Sequence, residues 1–172
     1  MGDVSGNDVS DGGDAYDQYY FETDKWGKDT ITDTLNNTLP VGNEVIFSES
    51  LTNGLTIKLA SDPLSPEVTD AAGTSTINWS DNVIPNIKNY ASGSDSITGN
   101  DFVNNIRSEG ELDQDQVFAQ GGNDFIWVAD GGGRDSVDCG DGTDTVYYDT
   151  LDPGFPASRL DTATNCEDLH PQ

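Results

Sequence analysis

Positive charge, histidine and cysteine are all scarce in this chain, and each shortage closes a functional class. Its 172 residues hold seven Lys and Arg against 32 Asp and Glu, a formal net charge of −25. A nucleic-acid partner is excluded by that sign, since phosphate binding rests on Lys and Arg. A nucleophile triad needs a histidine, and the sole one, His170, stands near the end, where it reads as a frayed surface side chain. The chain is accordingly read as non-catalytic. Two cysteines, Cys139 and Cys166, without a second ligand cluster argue against zinc. There is no run of 18 apolar residues, so no membrane span is expected. Nor does a leader precede the first residues, which run straight into Gly6-Asn7-Asp8. That start suggests a cut inside a longer array, or export without an N-terminal leader.

What is present is periodic. From Ile57 a β-branched residue returns every 20 positions at Ile77, Ile97, Val117 and Val137. A second series, Ile106, Ile126 and Val146, keeps the same period and reaches Ile46 when run backward. Such a period predicts stacked rungs, each with two short strands that send one aliphatic residue inward, since a single rung cannot bury a core alone. About eight rungs are expected.

Two residues before each inward position the later rungs carry acids or an amide: Asp95, Asp115 and Asp135 in one series, Asn104, Asp124 and Asp144 in the other. Glycines gather ahead of them, in Gly121-Gly122-Asn123-Asp124, Gly131-Gly132-Gly133-Arg134-Asp135 and Gly140-Asp141-Gly142-Thr143-Asp144. Glycine lets the backbone adopt positive φ and turn carbonyls toward one point. Carbonyl and carboxylate oxygens in a pliant loop suit Ca²⁺ better than Mg²⁺ or a transition metal. The isolated acids Asp62, Asp70, Asp81 and Asp152 are read instead as solvated surface.

These segments resemble the G-G-x-G-x-D-x-U-x nonapeptide of the RTX (hemolysin-type) calcium-binding proteins. Cys139 to Tyr147 fits it everywhere but at Cys139, and Gly121 to Trp127 and Gly131 to Tyr147 share its pattern. Gly12 to Tyr20 reads as one further repeat, Gly27 to Ile31 as a partial one, and Gly42 to Ile46 as one with Glu44 in place of Asp. Phe102-Val103 and Glu111-Leu112-Asp113-Gln114 depart from the pattern. The resemblance implies a right-handed, all-β parallel β-roll, here with coils of about 20 residues. It also implies Ca²⁺ between successive rungs, held by Asp95, Asn104, Asp113, Asp115, Asp124, Asp135, Asp141 and Asp144 with the backbone at Gly122, Gly131, Gly133, Gly140 and Gly142. By extension it includes Asp8, Asp17 and Asp29. The organisation it suggests is one continuous domain: degenerate repeats over 1–46, rungs without calcium loops over 47–90, calcium repeats over 91–150, and a cap or tail over 151–172.

A mechanism follows from the charge. Stacked carboxylates repel in the compact state, and divalent ions that bind only the folded chain convert binding into folding free energy. Adding one period to Val146 places Cys166 in the next rung, within reach of Cys139. A disulfide closing that rung is the reading preferred here over two buried thiols, and it implies an oxidising compartment. Trp127 and Tyr147 follow inward residues and so point outward, either as a stacked pair shielding the strand face or as a surface for polysaccharide or protein. The function expected is a secreted or cell-surface calcium-binding module for adhesion, assembly or export. The alternatives are an accessory domain of an extracellular hydrolase, protease or epimerase, and a filament or surface-layer subunit pairing with copies of itself.

Overall fold

The computed structural model describes residues 6–13, 16–33, 42–59, 67–79, 84–110, 113–131, 133–150 and 160–172. Among them every element is a strand: β1 Val9–Ser10, β2 Gln18–Phe21, β3 Lys28–Ile31, β4 Glu44–Phe47, β5 Leu55–Lys58, β6 Val68–Asp70, β7 Thr76–Trp79 and β8 Asn86–Asn89 in the first half. The second half adds β9 Ser96–Asn100, β10 Asn105–Ser108, β11 Gln116–Gln120, β12 Phe125–Trp127, β13 Ser136–Asp138, β14 Thr145–Tyr148, β15 Thr162–Thr164 and β16 Asp168–Pro171. With no helix among the described residues, none is long and apolar enough to cross a membrane.

The chain alternates between two sheets, a nine-stranded one in the order β1-β3-β7-β6-β5-β9-β11-β13-β15 and a seven-stranded one in the order β16-β14-β12-β10-β8-β4-β2. All strand pairs are parallel except β5–β6 and β6–β7. This is a β-solenoid of about six turns averaging roughly 23 residues. It has fewer and longer coils than the eight expected.

Burial explains the coil. Short Val- and Ile-bearing strands leave one aliphatic face per sheet, and stacking the strands in register buries both faces against each other. In the first sheet Ile57, Ile97, Val117 and Val137 align across β5, β9, β11 and β13, and each is at most 2% exposed. In the second, Ile106, Ile126 and Val146 align across β10, β12 and β14, all fully buried. Between Ile97 and Val146 the expected 20-residue step holds. The N-terminal end is filled by Phe21, Trp26 and Phe47, with ring centroids 5.6–6.2 Å apart.

Outside that stretch the period fails in three places. Ile57 pairs directly with Ile97, because residues after β5 double back as an antiparallel meander through β6 and β7. Ile77 is fully buried but aligns with Asp29 and Val68, so its place in the 20-residue series is coincidental. Within the stretch 47–90, expected as calcium-free parallel rungs, only β6 of the described strands is antiparallel, while β5, β7 and β8 keep parallel partners. In the second sheet Val45, not Ile46, aligns with Ile87, which aligns with Ile106. At the far end Leu169, not Cys166, lies beyond Val146.

Candidate functional site

Each acid two residues before an inward aliphatic lies at the entry to a strand, where the chain turns in from the edge of the roll. Its own backbone amide is left over from the strand pairing there, and the acid one rung on supplies the acceptor. The Asp95 amide donates to Asp115 Oδ1 at 2.9 Å, Asp115 to Asp135 Oδ1 at 2.7 Å, and Asp135 to Asp161 Oδ1 at 2.8 Å. On the other edge the Asn104 amide donates to Asp124 Oδ1 and Asp124 to Asp144 Oδ1, both at 2.7 Å, and Asp144 to Glu167 Oε2 at 3.0 Å. The Leu55 amide donates to Asp95 Oδ1 at the head of the first ladder. Near the N-terminus the Asp8 amide donates to Asp29 Oδ1 at 2.9 Å, and the Asp17 amide to Asn43 Oδ1 at 3.1 Å.

The other oxygen of each acid separates the ladder into two kinds. Asp95 Oδ2 accepts from Asn89 Nδ2, and Asp115 Oδ2 from Ser108 Oγ, while Asn89 also donates to Ser108 Oγ at 3.2 Å. Those oxygens are saturated by neutral side chains. Asp124, Asp135 and Asp144 each keep Oδ2 buried with no hydrogen-bond partner among the described residues, and each residue is at most 2% exposed. An unpartnered buried oxygen costs free energy that a cation or a proton would recover.

Electrostatics points the same way. Burial, opposed by the Asp115 amide and reinforced by the charges of Asp161, Asp130 and Asp115, pushes the Asp135 carboxyl up to about 9. Burial and the Asp115 charge push Asp95 up to about 8, and burial with the Asp144 charge pushes Asp124 up to about 7. Asp113, half-buried, rises to about 6 through burial and the neighbouring Asp115. Burial likewise raises Asp115, Asp144 and Asp29. Without a counter-ion this row of acids holds its protons far better than free carboxyls do.

Backbone carbonyls admitted by glycines complete the setting. A methyl on Gly142 would overlap the Gly122 carbonyl oxygen and lie 3.0 Å from Asp144 Oδ1. A methyl on Gly133 would overlap the Asp113 carbonyl oxygen and lie 2.9 Å from Asp135 Oδ1. Carbonyl oxygen of one rung and carboxylate oxygen of the next thus converge where only a glycine leaves room. Gly140 has φ +88°, and its missing side chain admits the Gln120 carbonyl oxygen. Gly122 and Gly131 also take positive φ, at +118° and +81°. Asp141 enters only through its backbone, its carbonyl accepting from Gly122 at 3.0 Å, while its side chain is exposed. Among the described residues no three His, Cys, Asp or Glu side chains converge as a metal cluster, so a cation here would need these carbonyls.

The chain matches no family model, no curated protein and no solved structure. Its likeness to the RTX repeat therefore rests on the sequence motif alone.

Several ladder members escape the glycine pattern. Asp161 and Glu167 extend the two ladders without a glycine before them, yet each stands two residues ahead of an apolar residue, Ala163 and Leu169. That offset, applied without requiring Val or Ile, would have found both. Asn43 rather than Glu44 is the ladder member before Val45, and Glu44 instead pairs with Lys88 at 3.1 Å. Asp70, expected on the surface, is 2% exposed and caps the β6–β7 turn by accepting from the Thr74 and Ser75 amides. Asp62, Asp81, Asp152 and the Glu111-Leu112 part of the departing loop lie outside the described residues.

The cysteines are joined, Cys139 to Cys166, with Cα atoms 5.2 Å apart. On the outer face of the second sheet Trp127 and Tyr147 stack at 4.6 Å and 18°, Tyr147 stacks on His170 at 4.5 Å and 10°, and Arg107 sits 5.4 Å above Trp127. His170 is thus a strand residue held by a ring and by Asp168 at 3.2 Å, not a frayed one. Both faces of Tyr147 are taken within the column.

Proposed function

We propose that this chain is a calcium-dependent β-solenoid module of the extracellular space. The observation that carries the reading is the set of buried, unpartnered Oδ2 atoms on Asp124, Asp135 and Asp144. Their residues follow glycine turns packed against backbone carbonyls of the preceding rung, in a chain of net charge −25. An all-oxygen donor set of carboxylates and carbonyls fits Ca²⁺. Asp124 and Asp144 would hold it on one edge, with the Gly122 carbonyl, and Asp135 on the other, with the Asp113 carbonyl. The Asp95–Asp115 step is the poorer site, since Asn89 and Ser108 already occupy the oxygens a cation would use.

When bound, the ion supplies charge neutralisation and nothing else is asked of it. The residues do the rest: Oδ1 of each acid caps the preceding rung, and Oδ2 awaits a positive partner. Each site would add about 2.7 kcal/mol to stability at a free calcium a hundred times Kd. Extracellular modules work with Kd on the order of 10⁻⁴–10⁻³ M, which suits a calcium-rich exterior. The disulfide supports the same compartment. The role we infer is structural, as an adhesion or assembly unit or as the accessory module of an extracellular enzyme. Of the two readings for Trp127 and Tyr147, the column of mutually covered rings favours strand shielding over a glycan platform.

The test is a far-UV circular dichroism titration with calcium and, separately, magnesium, on the chain and on Asp135→Ala and Asp144→Ala. A gain of β signal at millimolar calcium, weakened in both variants, is expected. A spectrum indifferent to calcium at millimolar levels would overturn the reading.

A further inference from the structure

We propose that the Cys139–Cys166 disulfide is a redox latch that closes or releases the last rung of the solenoid, residues 160–172, without unfolding the rungs before it. The inference does not depend on calcium.

The last rung differs from those it covers. Each preceding rung plants a fully or almost fully buried aliphatic in the core, Val137 at 2% and Val146 at 0% exposure. The last one offers Ala163 and Cys166, both only partly buried, and Leu169, 46% exposed. Burial that holds every other rung is nearly absent here. What remains are the short parallel pairings of β15 with β13 and β16 with β14, the carboxylate caps from Asp161 and Glu167, side-chain bonds from Asn165 to Asp138 and from Thr164 to the Val137 carbonyl, the backbone bonds of Gln172 with Tyr148 and Thr150, the Tyr147–His170 stack, and one covalent bond. That bond joins the residue just after β13 to the turn between β15 and β16, so it ties both terminal strands through a single point.

Breaking it has a definite chemistry. A dithiol attacks Sγ of Cys166, the more exposed of the two sulfurs. Cys139 departs as a thiolate and takes up a proton. The second thiol of the reductant then closes its own disulfide and frees Cys166 as a thiol. Two electrons and two protons enter the protein, and the dithiol is oxidised. Release of the rung uncaps the Asp135 and Asp144 amides, unstacks His170 and bares the edges of β13 and β14. The roll is therefore completed only where disulfides persist.

The experiment is amide hydrogen exchange on the full chain in millimolar calcium, before and after treatment with a dithiol and after reoxidation. A Cys139→Ser/Cys166→Ser variant serves as the permanently open form. Exchange at the Asp135 and Asp144 amides is expected to accelerate about four-hundredfold, the loop-closure factor for a separation of 27 residues. The Tyr147–His170 ring contact should vanish from the NMR spectrum, the Val117 and Ile106 amides should stay protected, and reoxidation should restore all of it. Unchanged exchange at Asp135 and Asp144 would overturn the latch, because the rung would then hold itself. A uniform acceleration from Ile106 to Tyr148 would overturn it equally, because the bond would then be holding the whole fold.

Discussion

Raising the pH of the calcium-free solenoid from about 5 to about 7 should destabilise it, and adding calcium should flatten the trend. Burial lifts Asp95 to about 8 and Asp135 to about 9 in the folded chain, while in an unfolded chain an aspartate titrates near 3.9. Throughout that window both groups keep their protons when folded and have lost them when unfolded. The unfolded state then binds fewer protons, so unfolding free energy falls as pH rises. The slope from these two groups is about 2.7 kcal/mol per pH unit, and two units remove about 5 kcal/mol, the lower bound of a typical domain's total stability. Asp124, lifted to about 7, adds the same sign over the lower part of the window. Calcium competes with the protons of Asp124 and Asp135, so its affinity should rise with pH, and with calcium bound these two groups no longer make stability fall as pH rises. Urea midpoints followed by far-UV circular dichroism at pH 5, 6 and 7, in chelator and in millimolar calcium, measure both slopes. A calcium-free midpoint that stays level or climbs between pH 5 and 7 would refute the assignment of buried, proton-holding carboxyls.

Other outcomes follow from single residues. Asp135→Asn retains an acceptor for the Asp115 amide but loses the charge, so at pH 7 in chelator it should be more stable than the parent and respond less to calcium; Asp135→Ala loses the acceptor too and should cost about 1–3 kcal/mol at pH 5. Gly140→Ala meets both a positive φ and the Gln120 carbonyl, so thermal melts should show a loss of more than about 2 kcal/mol. Gln120→Gly, at a non-glycine residue with φ 78°, should gain about 1 kcal/mol in the same assay. Ile126→Ala empties a fully buried position in the middle of the stack and should cost about 2–5 kcal/mol by chemical denaturation.

Parts of this molecule are written locally and parts are not. The solenoid between Ile97 and Val146 was legible because each rung repeats the same local problem: a turn, an acid, one residue, and an inward aliphatic. A fixed step then places like on like. Where the step changes, the residues alone do not say so. Ile77 satisfies the period and is buried, yet it belongs to a meander that only the pairing of β5 with both β6 and β9 reveals. The joining of Cys139 to Cys166 was legible, but the register was not: Leu169 and not Cys166 lies in line with Val146, because the last coil takes more residues than the 20-residue coils directly before it.

The sequence by itself determined which side chains face inward, where the glycines fall and that acids would stack, since alternation along a strand and repetition along the chain are local properties. Tertiary structure decided which of those acids are satisfied. Asn89 and Ser108, from strands of the opposite sheet, quiet Asp95 and Asp115, whereas among the described residues none donates to the second oxygens of Asp124, Asp135 and Asp144. That difference depends on what lies across the core, which no spacing along one series encodes.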